Sequence, residues 1–409
     1  MKMGMKYLNK DLNKHTNKEI NKNLIIALII ILIMYLFVYS IMHQAILSNN
    51  AYDSYTLQAQ SWWRGETALE HDYSWLELAT YKEGIYVSFP PFPSVPMFLL
   101  VPFFGTNTPS NLINSIYAIL SFIVIFAFCK RKGLSDLPSL FWSAFAVFGS
   151  NLISISFFGG VWYQAQVLSF LMSALSIYFI TSKKQWHWYI AMICWAFAVG
   201  CRPFQIVYLP IYISILYSNL KSNNRPFIHI AKYLVVPAII GGLYAWYNFI
   251  RFDNILEFGH NYLPEFIEST NGQFHWSYII QNFPNLFRLP YFENNLLSFP
   301  KFNGFAFYIA NPIFIVFFIG LIKRLLNKNL SRNNIIILGC IIVHIILFLA
   351  HKTLGGWQFG IRYFVDIIPF LFLSISSSDL KVHRYEIILF AFGLILNIYG
   401  TLWLMLEWA

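Results

Sequence analysis

The chain carries 18 acidic and 28 basic residues among 409, and few of them stand where they could meet a substrate. Asp53 comes just after a long apolar run, near the head of AYDSYTLQAQSWWRGE. A carboxylate there can take a proton from a hydroxyl at the lipid–water boundary, although Asp ahead of a helix is also an ordinary N-cap. Arg202, in GCRPF, lies between two apolar runs with almost no loop to hold it. Arginine near a membrane core costs about 2.5–3.5 kcal/mol or more, so it either lines a polar cavity or snorkels to the headgroups. Arg362 and Asp366 stand four apart in GGWQFGIRYFVDIIPF. They fit an ion pair on one helix face, or a phosphate site built on the arginine fork. Gly355, Gly356 and Gly360 allow close backbone approach to a ligand. Lys82 and Glu83 precede a Pro-rich segment and read either as solvated loop charges or as ligands. His260 and His351 have no partner at metal-ligand spacing, so a divalent metal is left open but not indicated.

These groups need a frame, and composition supplies one. The sequence is 57% apolar and 11% charged, against about 45–50% and 25% in soluble domains. Apolar runs near 24–47, 110–129, 139–157, 164–181, 188–201, 204–218, 232–250, 309–322, 335–350, 365–378 and 385–406 predict an all-α, polytopic helical membrane protein of about eleven spans. The first run is too long for a cleaved signal peptide. Residues 1–23 form a Lys/Asn-rich tail, and 24–409 a single transmembrane domain. With that tail cytoplasmic, alternation puts 20 of the 28 basic residues inside and 13 of the 18 acidic residues outside. That is the positive-inside pattern. The net charge of +10 is therefore a topology signal, and nucleic acid is not an expected partner. The four cysteines fall in or at the ends of spans and read as packing residues.

The polar chemistry gathers on the predicted outer face, in loops at about 48–109, 251–308 and 351–364. Tyr52, Tyr55, Ala59 and Trp62 recur at helical spacing, which predicts an interfacial helix with its aromatic stripe at headgroup level. Prolines 90, 91, 93 and 96 followed by a short apolar run predict a half-helix too short to cross. No HExxH or GxSxG motif and no phosphate-cradling glycine loop occurs.

Taken in order, the segments FPPFPSVPMFLLVPFFG (89–105), Arg202–Pro203, YNFIRFDNILEFGHNY (247–262) and GGWQFGIRYFVDIIPFL (355–371), after an acidic residue following the first span, resemble a known superfamily. It is the GT-C superfamily of integral-membrane glycosyltransferases, in its protein O-mannosyltransferase and aminoarabinose transferase branch. The resemblance implies an inverting transferase taking a sugar from a polyprenyl-phosphate donor on the outer face. It implies Asp53 as general base, with Arg362, Arg202 and Lys82 holding the donor phosphate. Three departures accompany it. Ser54 stands where a second acid is usual. RFD replaces RFG at 251–253, which makes Asp253, like Glu83, a secondary acid–base candidate. The sequence also ends with its last span, which leaves the acceptor open: a cell-envelope glycan, lipid or protein. The rival expectation from another class is a transporter or lipid flippase, whose folds usually show paired repeats that this sequence lacks.

Overall fold

Side chains at helical spacing sort themselves by what they face. In α1 (Lys2–Ile41), Ile31, Tyr35, Val38 and Tyr39 are buried while Ile29, Ile30, Ile33 and Phe37 are exposed. The inward stripe carries hydroxyls and the outward one is purely aliphatic and aromatic, the distribution expected of a helix with lipid outside and polar groups satisfied within. The Tyr35 hydroxyl lies 2.6 Å from Ser156 Oγ, and Tyr39 donates to the Phe157 carbonyl at 2.8 Å. The structure is a computed structural model that describes residues 2–374 and 380–406.

Along the chain, α1 is followed by α2 (Ser54–Trp63), a hairpin of β1 (Leu78–Tyr81) and β2 (Gly84–Val87), α3 (Ser94–Phe104), α4 (Ser110–Arg131), α5 (Asp136–Val147), α6 (Leu152–Ser156), α7 (Val161–Ile180), α8 (Gln185–Cys201), α9 (Leu209–Leu220) and α10 (Pro226–Phe252). Next come α11 (Pro264–Ile267), α12 (Trp276–Asn282), a second hairpin of β3 (Tyr291–Glu293) and β4 (Leu296–Ser298), α13 (Phe307–Ala310), α14 (Ile313–Leu326), α15 (Arg332–Ala350), α16 (Ile368–Leu371) and α17 (Arg384–Leu406). Among the described residues six helices are long and apolar enough to cross a membrane: α1 over Lys22–Ile41, α4, α7, α10, α15 and α17. The chain is therefore a helical membrane protein.

The other five apolar runs take shorter forms. Run 139–157 breaks between α5 and α6, where Asn151 donates to the Phe359 carbonyl at 2.7 Å. Run 188–201 lies in the 17-residue α8, and 309–322 is divided between α13 and the 14-residue α14. Run 204–218 divides between a 3-10 turn (Pro203–Tyr208) and α9. Run 365–378 passes through 3-10 turns and the four-residue α16, and its residues 375–378 lie outside the described residues.

At the centre α7 packs on α8, with Ser169 and Ser176 donating to the Ala198 and Ala191 carbonyls at 3.3 and 2.6 Å. Small residues on facing helices let the backbones approach closely. The short α3 leaves Leu99 and Phe103 exposed, in keeping with the expected half-helix. A helix forms at the expected place as α2, but its stripe does not face a membrane interface: it turns into the protein, with Tyr55 and Ala59 fully buried. The physical reason is a polar partner set on that side. Trp62 Nε1 and Gln58 Nε2 both donate to the Tyr247 hydroxyl, at 2.9 and 3.0 Å, and Ser94 donates to Gln58 Oε1 at 2.6 Å.

The three loops expected on one face meet at one end of the molecule. Arg251, buried at the end of α10, donates to the Val87 carbonyl at 2.9 Å. Phe274 bridges to His351 and Phe302 to Trp357. At the opposite end Lys132 lines a small cavity with Thr181, Asn333 and Leu373, and Lys130 pairs with Asp136.

Candidate active site

Between the loops lies a cavity of about 780 Å³, walled by Tyr52, Phe89, Trp162, Tyr163, Phe204 and Trp357 among others, with Glu77, Arg202, His260, Glu265, His351 and Arg362 as its ionisable lining. Apolar walls with a few convergent polar groups are the usual make-up of small-molecule sites.

Arg202 ends α8 in an extended conformation ahead of Pro203, so it leaves the helix and turns its side chain inward. Its Nε lies 3.2 Å from Asp366 Oδ2, and its guanidinium sits 4.6 Å from the Tyr363 ring centre. The cavity reading of Arg202 holds, and snorkelling does not. The ion pair expected between Arg362 and Asp366 does not form. Residues Arg362–Ile367 are a 3-10 helix, in which i and i+3 eclipse and i+4 is turned away. Asp366 is thereby left to Arg202.

Arg362 is 3% exposed and has only neutral partners. Nη1 donates to the Trp162 carbonyl and to Gln166 Oε1, both at 3.2 Å, and Nη2 reaches the Gly355 carbonyl at 3.5 Å. Nε is buried with no acceptor among the described residues. Gln166 also donates to the Arg362 carbonyl at 2.7 Å, so one α7 side chain fixes both ends of the residue. Gly355, at φ +101°, allows the close turn: a Cβ there would stand 3.0 Å from Arg362 Nε.

Asp53 caps α2. It accepts from the Thr56 amide at 3.1 Å and from Thr56 Oγ1 at 2.5 Å, and is 5% exposed. Burial pushes its carboxyl up to about 6 against the Thr56 hydrogen bonds that lower it. Its neighbours Asn50, Ala51 and Tyr52 line the cavity, whereas Asp53 lies behind them. Lys82 and Asp253 lie outside the cavity as a mutual pair, Nζ to Oδ2 2.5 Å, with about half or more of each side chain exposed. Lys82 and Glu83 form the turn between β1 and β2. Asp253 closes α10 in the left-handed conformation, φ +52°, which a glycine adopts at least cost and Asp or Asn next. That accounts for the RFD spelling without chemistry.

Glu77 is the carboxylate that sequence reasoning passed over. It stands just before β1, and its Oε2 accepts the Trp162 indole N–H at 2.9 Å. Burial raises its pKa, opposed by that hydrogen bond. A single Glu in a long loop has no motif, and its partner is 85 positions away. His260 and His351 face each other at 6.4 Å between ring centres. Burial pushes them down to about 3 and about 4, so both are neutral near pH 7. Among the described residues no group of three or more His, Cys, Asp or Glu side chains converges to hold a metal ion.

No family model, no curated protein and no solved structure matches the chain.

Proposed function

We propose that the protein is a GT-C-type glycosyltransferase of the cell membrane with about eleven spans, working on the outer face. It moves a sugar, with inversion, from a polyprenyl-phosphate donor to a cell-envelope glycan, lipid or protein. The observation that carries this reading is Arg362. A buried charge is normally met by an opposite charge; this one has neutral partners and a free buried N–H on the wall of an aromatic cavity. An anionic ligand with a large apolar part fits both features, and a lipid-linked phosphosugar has both. Arg202, already neutralised by Asp366, lends a second guanidinium nearby. Charge building on the departing phosphate would meet a preorganised donor in a water-poor site. The aromatic walls, Trp162 and Trp357 among them, offer faces for a sugar ring. The resemblance assigns the base to Asp53, which stands behind the cavity wall at the start of α2 with both oxygens bonded to Thr56.

The test offers purified protein in proteoliposomes a panel of polyprenyl-phosphate hexoses, with envelope extract as acceptor and with or without a chelator. Transfer of at least one sugar supports the reading. Movement of the carrier lipid across the bilayer with no transfer points to a flippase instead.

A further inference from the structure

We infer that Glu77 is the group that takes the proton from the acceptor hydroxyl. The inference rests on the transfer reading and goes beyond it by naming a carboxylate that lines the substrate space and is tied to the anion-binding arginine. Three observations converge. Glu77 lines the cavity, whereas Asp53 lies behind its wall with its two carboxylate oxygens bonded to Thr56. A single residue joins Glu77 to the anion-binding arginine: the Trp162 indole N–H donates to Glu77 Oε2 at 2.9 Å, and the Trp162 carbonyl accepts from Arg362 Nη1 at 3.2 Å. Trp162 sits in the first turn of α7, the helix whose Gln166 fixes Arg362, so carboxylate and guanidinium are held in register by one rigid element. The backbone of Glu77 is fixed as well, since its carbonyl accepts from Ser88 Oγ at 2.8 Å.

Direct displacement with inversion needs a base for the acceptor hydroxyl and an anion site for the departing phosphate, on opposite faces of the sugar, and one cavity here supplies both groups. The acceptor O–H proton passes to a Glu77 carboxylate oxygen as the acceptor oxygen bonds to the anomeric carbon. The bond from that carbon to the phosphate oxygen breaks, and its electron pair leaves with polyprenyl phosphate, whose added negative charge faces Arg362. Glu77 then returns the proton to water. No metal, oxidant or reductant enters the balance.

Glu77→Gln keeps an oxygen to accept the indole N–H, so the fold is expected to survive. In vesicles bearing the full chain and supplied with radiolabelled polyprenyl-phosphate hexoses, this variant should transfer sugar at least about 100-fold more slowly. It should retain donor within about threefold of wild type, and Glu77→Asp should recover part of the rate. Wild-type transfer by Glu77→Gln overturns the inference while leaving the transfer reading intact; abolition by Asp53→Asn in the same assay would then return the role to Asp53. Loss of donor retention and thermal stability alongside transfer makes Glu77 structural and also overturns it. A wild-type protein that moves no sugar from any donor fails at the earlier step, and the transfer reading falls with this inference.

Discussion

Two arginines share the cavity wall, and a single carboxylate, Asp366, divides their roles. Paired with it, Arg202 is a structural cation, since removing one member of a buried pair strands the other charge at a cost of about 3–5 kcal/mol. Arg202→Ala should therefore lower the thermal midpoint of the detergent-solubilised protein markedly, and the double change Arg202→Met with Asp366→Leu should restore most of it. A double variant no more stable than the single one would show that Asp366 is not the source of the loss. Arg362, with neutral partners alone, has no carboxylate to strand. The sequence spacing of 362 and 366 suggested the opposite pairing. What it could not show is that this segment winds as a 3-10 helix, in which an i,i+4 pair does not align.

At the scale of elements, the loop between α1 and α4 builds the site through caps and turns. Asp53 starts α2 and holds the chain where Asn50 and Tyr52 enter the cavity. Its folded pKa of about 6 lies above the ordinary value of 3.8. The folded state thus binds the proton more tightly, and the associated stability is present below about pH 4 and lost as pH rises through 6. Asn caps helices as well as Asp does and does not titrate, so Asp53→Asn should remove this part of the pH dependence. Thermal midpoints of both proteins from pH 4 to 7 check it, and parallel curves would contradict it. The half-helix α3 was legible from its prolines, and the amphipathic α2 from its period. Which way the α2 stripe faces was not, because it turns on Tyr247, some 190 positions on. Glu77 was hidden for the same reason: its meaning comes from Trp162 across the fold. Asp253 and Lys82, conspicuous as loop charges, are a capping residue and a hairpin turn that met at the rim.

For the whole molecule, charge partition and apolar runs were the legible part. Six of the eleven runs lie in helices long enough to span, and the two long loops and the short segment 351–364 converge at one end. Of the remaining runs, 139–157 is interrupted where the buried Asn151 bonds across the fold, which local hydropathy does not register. The sidedness expected from the lysine distribution has a direct check. A cysteine at the exposed Glu70 should react with a membrane-impermeant maleimide in intact cells, and one at the exposed Lys328 only after permeabilisation. The reverse pattern would invert the topology. The central claim is that Arg362 receives the phosphate of a lipid-linked donor, and equilibrium retention of a polyprenyl-phosphate hexose by wild type and Arg362→Ala tests it most directly. A charge-assisted hydrogen bond contributes about 1.5–3 kcal/mol, so the account predicts retention weakened by about ten- to a hundredfold with little change in thermal midpoint. Unchanged retention, or loss of retention only in step with unfolding, would contradict it.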